Sequence, residues 1–285
     1  MIGVVVIVNI ALFLIWNYLT YKGIMENSRA ARISVRSSYE AEILTSKGVG
    51  GFGLVYMLLF YILGMLAIFH NLSMNKILLK FFVAAIIASS VIIVFLSGFS
   101  IALLLLIASV LIYYFLLEKY IATITITIAS VLIYYFFLDI GNIAASLDGM
   151  NYKIKLEHFM ESIADLELQG TVYDRFERYY RSLTLFIENP IFGTLDRAIV
   201  GKHSLLLDTF AQFGFFIGSL FVYIIIKIPF DLHKRAKKNK NFSFSIIFLV
   251  IMTFSLNNIA MGYGYMIYIF FPYILYMLEK NKEQL

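Results

Sequence analysis

The chain has 285 residues, 61% hydrophobic and only 14% charged, with a formal net charge of +5 and a mean hydropathy of +0.85. A soluble domain cannot hide that much apolar surface, so the composition excludes a water-soluble globular protein and predicts an all-α, polytopic membrane helical bundle. Zero cysteines exclude disulfides, thiolate metal sites and a cysteine nucleophile, and four histidines without metal-ligand spacing predict no zinc site.

A membrane helix needs about 20 apolar residues. Eight stretches come near that requirement: residues 2–21, 52–69, 77–96, 101–117, 121–138, 205–228, 242–259 and 265–278. The first lacks the basic start and small-residue cleavage site of a signal peptide. Polar residues 22–50 follow it and carry Lys22, Arg29, Arg32, Arg36 and Lys47. Further on, Ser97-Gly98-Phe99-Ser100 suits one hairpin turn and Glu118-Lys119 the next. The nonapeptide IASVLIYYF occurs twice, at residues 107–115 and 128–136, which reads as a local duplication of about one span. Residues 1–138 thus form an N-terminal group of spans, 139–204 a long polar loop, and 205–285 a C-terminal group of spans.

Within that loop, residues 154–168 (IKLEHFMESIADLEL) alternate apolar and acidic positions at helical spacing, as in an amphipathic helix on a membrane surface. A second helix is expected over 171–187, with Asp174, Arg175, Glu177, Arg178 and Arg181 on it. Three-residue spacing puts the three guanidiniums roughly on one face. The same spacing allows ordinary Asp174–Arg178 and Glu177–Arg181 pairs, each contributing a few tenths of a kcal/mol. Asn189-Pro190-Ile191-Phe192-Gly193 then breaks the helix and turns the chain. His203-Ser204 opens the next apolar stretch. Asp208 inside that stretch calls for a partner or a water-filled cavity, and Gly214 and Gly218 permit close helix contact.

Orientation follows the lysines and arginines of short loops. The cluster His233-Lys234-Arg235-Ala236-Lys237-Lys238-Asn239-Lys240 is the densest and is expected in the cytoplasm. With eight spans, Lys76, Lys80, Lys119, Lys280 and Lys282 join it, and both termini lie on that side. Loop 139–204 is then external, and it holds more acidic than basic residues. Residues 22–50 would also be external, so their arginines run against the charge rule; arginines kept for an anionic ligand would do so, and a missing upstream helix would invert the count equally.

The stretch from Arg175 to Gly218 resembles the O-antigen polymerase and O-antigen ligase superfamily. An arginine precedes a helix of about four turns and a Pro-hydrophobic-x-Gly turn, here Pro190-Ile191-Phe192-Gly193. A His-Ser pair follows, then nine residues and a glycine, here His203-Ser204 and Gly214. Two departures stand out: the second glycine, Gly218, comes one residue late, and no arginine accompanies Gly98. The chain is shorter than is usual for the family, which leaves a missing N-terminal portion open as one reading.

The resemblance implies a glycosyltransferase of the bacterial cytoplasmic membrane, with its active loop external. It would polymerise undecaprenyl-diphosphate-linked oligosaccharide repeat units into capsule or O-antigen, without metal or cofactor. Arg175 and Arg178 would bind the lipid diphosphate, with Arg29, Arg32 and Arg36 as a second cluster. Arg175 would also serve catalysis, and His203 would be the base or would orient the acceptor. Membrane lipid, and the flippase and chain-length regulator of the same pathway, are the implied partners; nucleic acid is not. Transfer to another acceptor, as in a ligase, fits the same motif. A flippase is the reading from another class; it calls for charged groups inside several spans and two related halves, whereas most spans here carry no charge.

Overall fold

The computed structural model describes residues 52–72, 76–96, 100–121, 123–128, 170–237, 239–257 and 266–281. Among the described residues the chain is helical and has no strand. The elements are α1 (Phe52–Asn71), α2 (Ile77–Leu96), α3 (Ser100–Leu116), α4 (Gly170–Glu188), α5 (Leu205–Arg235), α6 (Lys240–Leu256) and α7 (Phe271–Asn281), the last preceded by a π-helical turn, Met266–Phe270. Among the described residues, two helices are long and apolar enough to cross a membrane, Ile77–Phe95 and Leu205–Arg235. Four shorter apolar helices, Val55–Asn71, Ile101–Leu116, Lys240–Leu256 and Ile267–Glu279, pack beside them.

Helix α1 is apolar on every side and is the centre of the bundle, as expected for a helix surrounded by others. Leu58, Leu59, Phe60, Ile62 and Leu63 are buried around its whole circumference. Gly64 lets Phe270 and Ile274 approach its backbone. The ring of Phe60 meets Phe271 at 5.6 Å, and Tyr61 stacks on Phe270 at 5.3 Å. Helices α2 and α5 lie at the periphery. Each keeps bulky apolar side chains exposed, such as Phe81 and Ile92 on α2 and Phe216 and Leu220 on α5.

The two ends of the bundle differ in chemistry. At one end Asn71 donates to Asn239 (3.4 Å), Asn239 donates to Glu279 (3.0 Å) and Asn241 donates to the carbonyl of Leu116 (2.7 Å). Lys119 reaches His70 there (3.4 Å), and Lys80 lies over the ring of Phe69. The ends of α1, α3, α5 and α7 therefore meet the start of α6, and Lys76, Lys80, Lys119, residues 233–237 and Lys240 share this end. The opposite end gathers the start of α5, the end of α6 and helix α4: Leu205 N–H donates to Asn257 C=O (3.1 Å), and Tyr179 Oη donates to Leu256 C=O (2.8 Å).

Helix boundaries agree with the sequence reading for α2 and to within a few residues for α1, α3, α6 and, with its π-helical turn, α7. The stretch expected over 205–228 is longer, running to Arg235 with Pro229 buried inside it. Pro229, Leu232, Phe242, Ile246 and Phe271 come together there, so packing against α6 and α7 carries the helix past the proline. Stretch 2–21, helix 154–168, most of 121–138, the second copy of the repeat and the turn at Gly98 lie outside the described residues.

Candidate functional site

Helix α4 carries the arginines, and three segments hold it in place. Ser182, buried on its inner face, donates to Asp208 of α5 at 2.6 Å. The same hydroxyl accepts from Gly201 N–H at 2.9 Å, and Asp208 accepts from Lys202 N–H at 3.2 Å. Asp208 is itself buried. A buried carboxylate is tolerated only when hydrogen-bonded, and this one spends its bonds on joining α4, the loop before His203 and α5. Ser204 then caps α5, its side chain accepting from Leu207 N–H at 3.2 Å. Lys202 adopts a left-handed φ of 62°. That conformation costs a non-glycine residue about 1 kcal/mol or more, and here it turns the chain so that His203 faces α4.

The proline turn and the α5 glycine interlock. Gly193 has φ 68° and Gly214 φ 69°, ψ −172°, the latter a region open essentially to glycine alone. A Cβ on Gly193 would strike the backbone of Gln212 and Gly214, and one on Gly214 would strike Ile191 and Phe192. Phe215 N–H donates to Pro190 C=O (2.7 Å), Thr194 N–H to Ala211 C=O (2.9 Å) and Leu195 N–H to Gln212 C=O (2.8 Å). Gly214 therefore kinks α5 and presents its freed backbone groups to the turn. Gly218 has a separate use: it makes room for Phe210, whose ring packs on Phe186 of α4 at 5.5 Å.

The arginines do not share one face. Arg175 points inward and is half-buried, while Arg178 and Arg181 are exposed. Asp174–Arg178 and Glu177–Arg181 form no ion pair among the described residues. Nη1 of Arg175 is buried without a hydrogen-bond acceptor. Around it stand Tyr56 of α1, with Tyr179 and Asn257 near the same phenol. His203 lies within electrostatic reach of Arg175 and Arg178, and Tyr179 meets its ring edge-on at 6.5 Å. Burial first, then the charges of Arg175 and Arg178, hold the His203 imidazole down at about 4, with Asp174 opposing them. At neutral pH His203 is uncharged.

The structure thus brings together His203, Arg175 and, less closely held, Arg178. Arg29, Arg32 and Arg36 lie outside the described residues. Sequence reasoning singled out Asp208 but not Ser182, Tyr179, Tyr56 or Asn257, which reach the site from α4, α1 and the end of α6. Their only signal was position beside an arginine or at the end of an apolar run. Among the described residues no group of three acidic or histidine side chains is placed to hold a metal ion.

No family model, no curated protein and no solved structure matches the chain.

Proposed function

We propose that the chain is a membrane glycosyltransferase of the O-antigen polymerase type, lengthening a glycan carried on undecaprenyl diphosphate at the outer face of a bacterial cytoplasmic membrane. One observation supports this most: a neutral histidine stands beside an arginine whose guanidinium has a buried nitrogen without an acceptor. Such a nitrogen calls for an anion, and Arg binds phosphate oxygens in paired, planar fashion.

In this reading Arg175, assisted by Arg178, holds the donor's diphosphate. The acceptor sugar's hydroxyl oxygen attacks the anomeric carbon. The bond from that carbon to the diphosphate oxygen breaks, and the lipid diphosphate leaves with the electron pair. The fixed guanidiniums stabilise the charge it gains. His203 takes the hydroxyl proton. Without the donor, burial and then the two arginines make His203 a weak base; the docked diphosphate offsets the arginines' share of that shift, so its basicity rises when the donor is in place. Donor binding and base activation are thereby coupled.

Purified chain in proteoliposomes, given a lipid-linked oligosaccharide, tests the proposal. A ladder of longer lipid-linked glycans from the native chain, abolished by His203→Ala and by Arg175→Ala at equal protein levels, is expected. Transfer only to a different acceptor would make the protein a ligase, passage across the bilayer without new bonds a flippase, and either would overturn the polymerase assignment.

A further inference from the structure

Helix α4 has an outward face that the site does not use. Phe176, Tyr180, Leu183 and Ile187 repeat at helical spacing and are exposed, opposite the face that carries Ser182. The stripe continues into the proline turn through Ile191, Phe192 and Leu195, with Phe192 72% and Leu195 67% exposed. No charged residue interrupts it. Water-facing helices do not normally carry a contiguous apolar stripe of this kind.

The level of this surface is fixed by α5. Hydrogen bonds from Phe215, Thr194 and Leu195 pin the turn at the Gly214 kink. Beyond the kink, residues 215–230, with Lys227 near their far end, extend for about 24 Å at helical rise, most of the thickness of a bilayer's hydrocarbon core. That segment begins with exposed Phe215, Phe216 and Ile217. The apolar tip of the turn is therefore continuous with the membrane-facing surface of α5 and stands where its hydrocarbon segment starts.

We propose that this stripe and the turn dip into the bilayer boundary, so that lipid acyl chains cover Ile187, Ile191, Phe192 and Leu195 while α4 rests on the membrane surface. Interfacial helices sink by about 5–10 Å in this way. The arginines of α4 would then ride at the depth of lipid phosphates, where a membrane-borne anion arrives by lateral diffusion. The docking does not depend on the reaction proposed above.

The chain contains a single tryptophan, Trp16, so a Trp16→Phe background allows a placed fluorophore. Phe192→Trp and, separately, Leu195→Trp would be read in nanodiscs with lipids brominated high on their acyl chains. Glu177→Trp, on the charged face, serves as control. Both tip variants are expected to lose most of their emission to the bromines and to resist aqueous iodide, and the control to do the reverse. Quenching of the tip by iodide would place it in water. Protection from both quenchers would mean that protein covers it, whether residues 139–169 or a second copy. Either result overturns the proposal, and both are readable whether or not the protein makes polymer.

Discussion

At the scale of single residues, Arg175 and His203 form one electrostatic unit. Lysine at position 175 keeps the charge but loses the planar fork, so Arg175→Lys should lower transfer activity by about 10- to 100-fold, the equivalent of losing one charged hydrogen bond of roughly 1.5–3 kcal/mol. Initial rates at saturating and limiting donor would measure it. The depressed His203 also predicts a pH signature. The acid limb of kcat/KM reports the free site and should lie near 4, while the limb of kcat reports the donor-bound site and should lie at higher pH. Coincident limbs would argue against any coupling between donor and base. Stability shows the same group from another side. The folded imidazole titrates at about 4, below the usual 6.5, so the unfolded chain binds the proton first as pH falls. His203 therefore contributes a loss of stability between about 6.5 and 4. His203→Gln should reduce the acid-induced drop in Tm across that window.

At the scale of elements, the hydrogen-bonded strut and the glycine interlock decide whether that unit exists. Asp208→Ala leaves the Ser182 hydroxyl and the Lys202 N–H short of a partner, at a cost of about 2 kcal/mol, and frees the loop that aims His203. Gly214→Ala forces alanine into a glycine-only conformation and against the backbone of Ile191 and Phe192, so a cost of about 3 kcal/mol is expected. Thermal unfolding in detergent should rank Gly214→Ala as the more damaging. Part of this was legible in the sequence. Helix α2 ends where its apolar run meets Ser97-Gly98, and α4 ends at Asn189-Pro190 because proline forbids the α-region before it. The α5 kink was not legible, because what drives Gly214 out of helical geometry is the backbone of Ile191 and Phe192, distant in sequence and met only on folding. The arginine face was misjudged for a geometric reason: three-residue steps drift by about 60° each on an α-helix, so Arg175 turns inward while Arg181 remains outside.

At the scale of the whole molecule, the segregation of charge is the property that composition could not show but loop-by-loop counting anticipated. Lys76, Lys80, Lys119, residues 233–237 and Lys240 lie at the end of the bundle where Asn71, Asn239 and Glu279 bond to one another, and the arginine–histidine site occupies the other. Lysines and arginines in short loops stay in the cytoplasm because translocating them is costly, so the basic end should face inward and the site outward. A chain without cysteine makes this directly testable. Lys237→Cys at the basic end and Glu177→Cys on the charged face of α4 are both exposed positions. In intact cells with a permeable outer layer, a membrane-impermeant maleimide should label Glu177→Cys and leave Lys237→Cys unreacted until the membrane is opened. The reverse pattern would put His203 in the cytoplasm and would remove the site from the compartment where a flipped lipid-linked glycan is available. Labelling of both positions in intact cells would mean that the two ends do not lie on opposite sides of a bilayer. The apolar length of α5 beyond Gly214 would then have to be covered by protein rather than lipid.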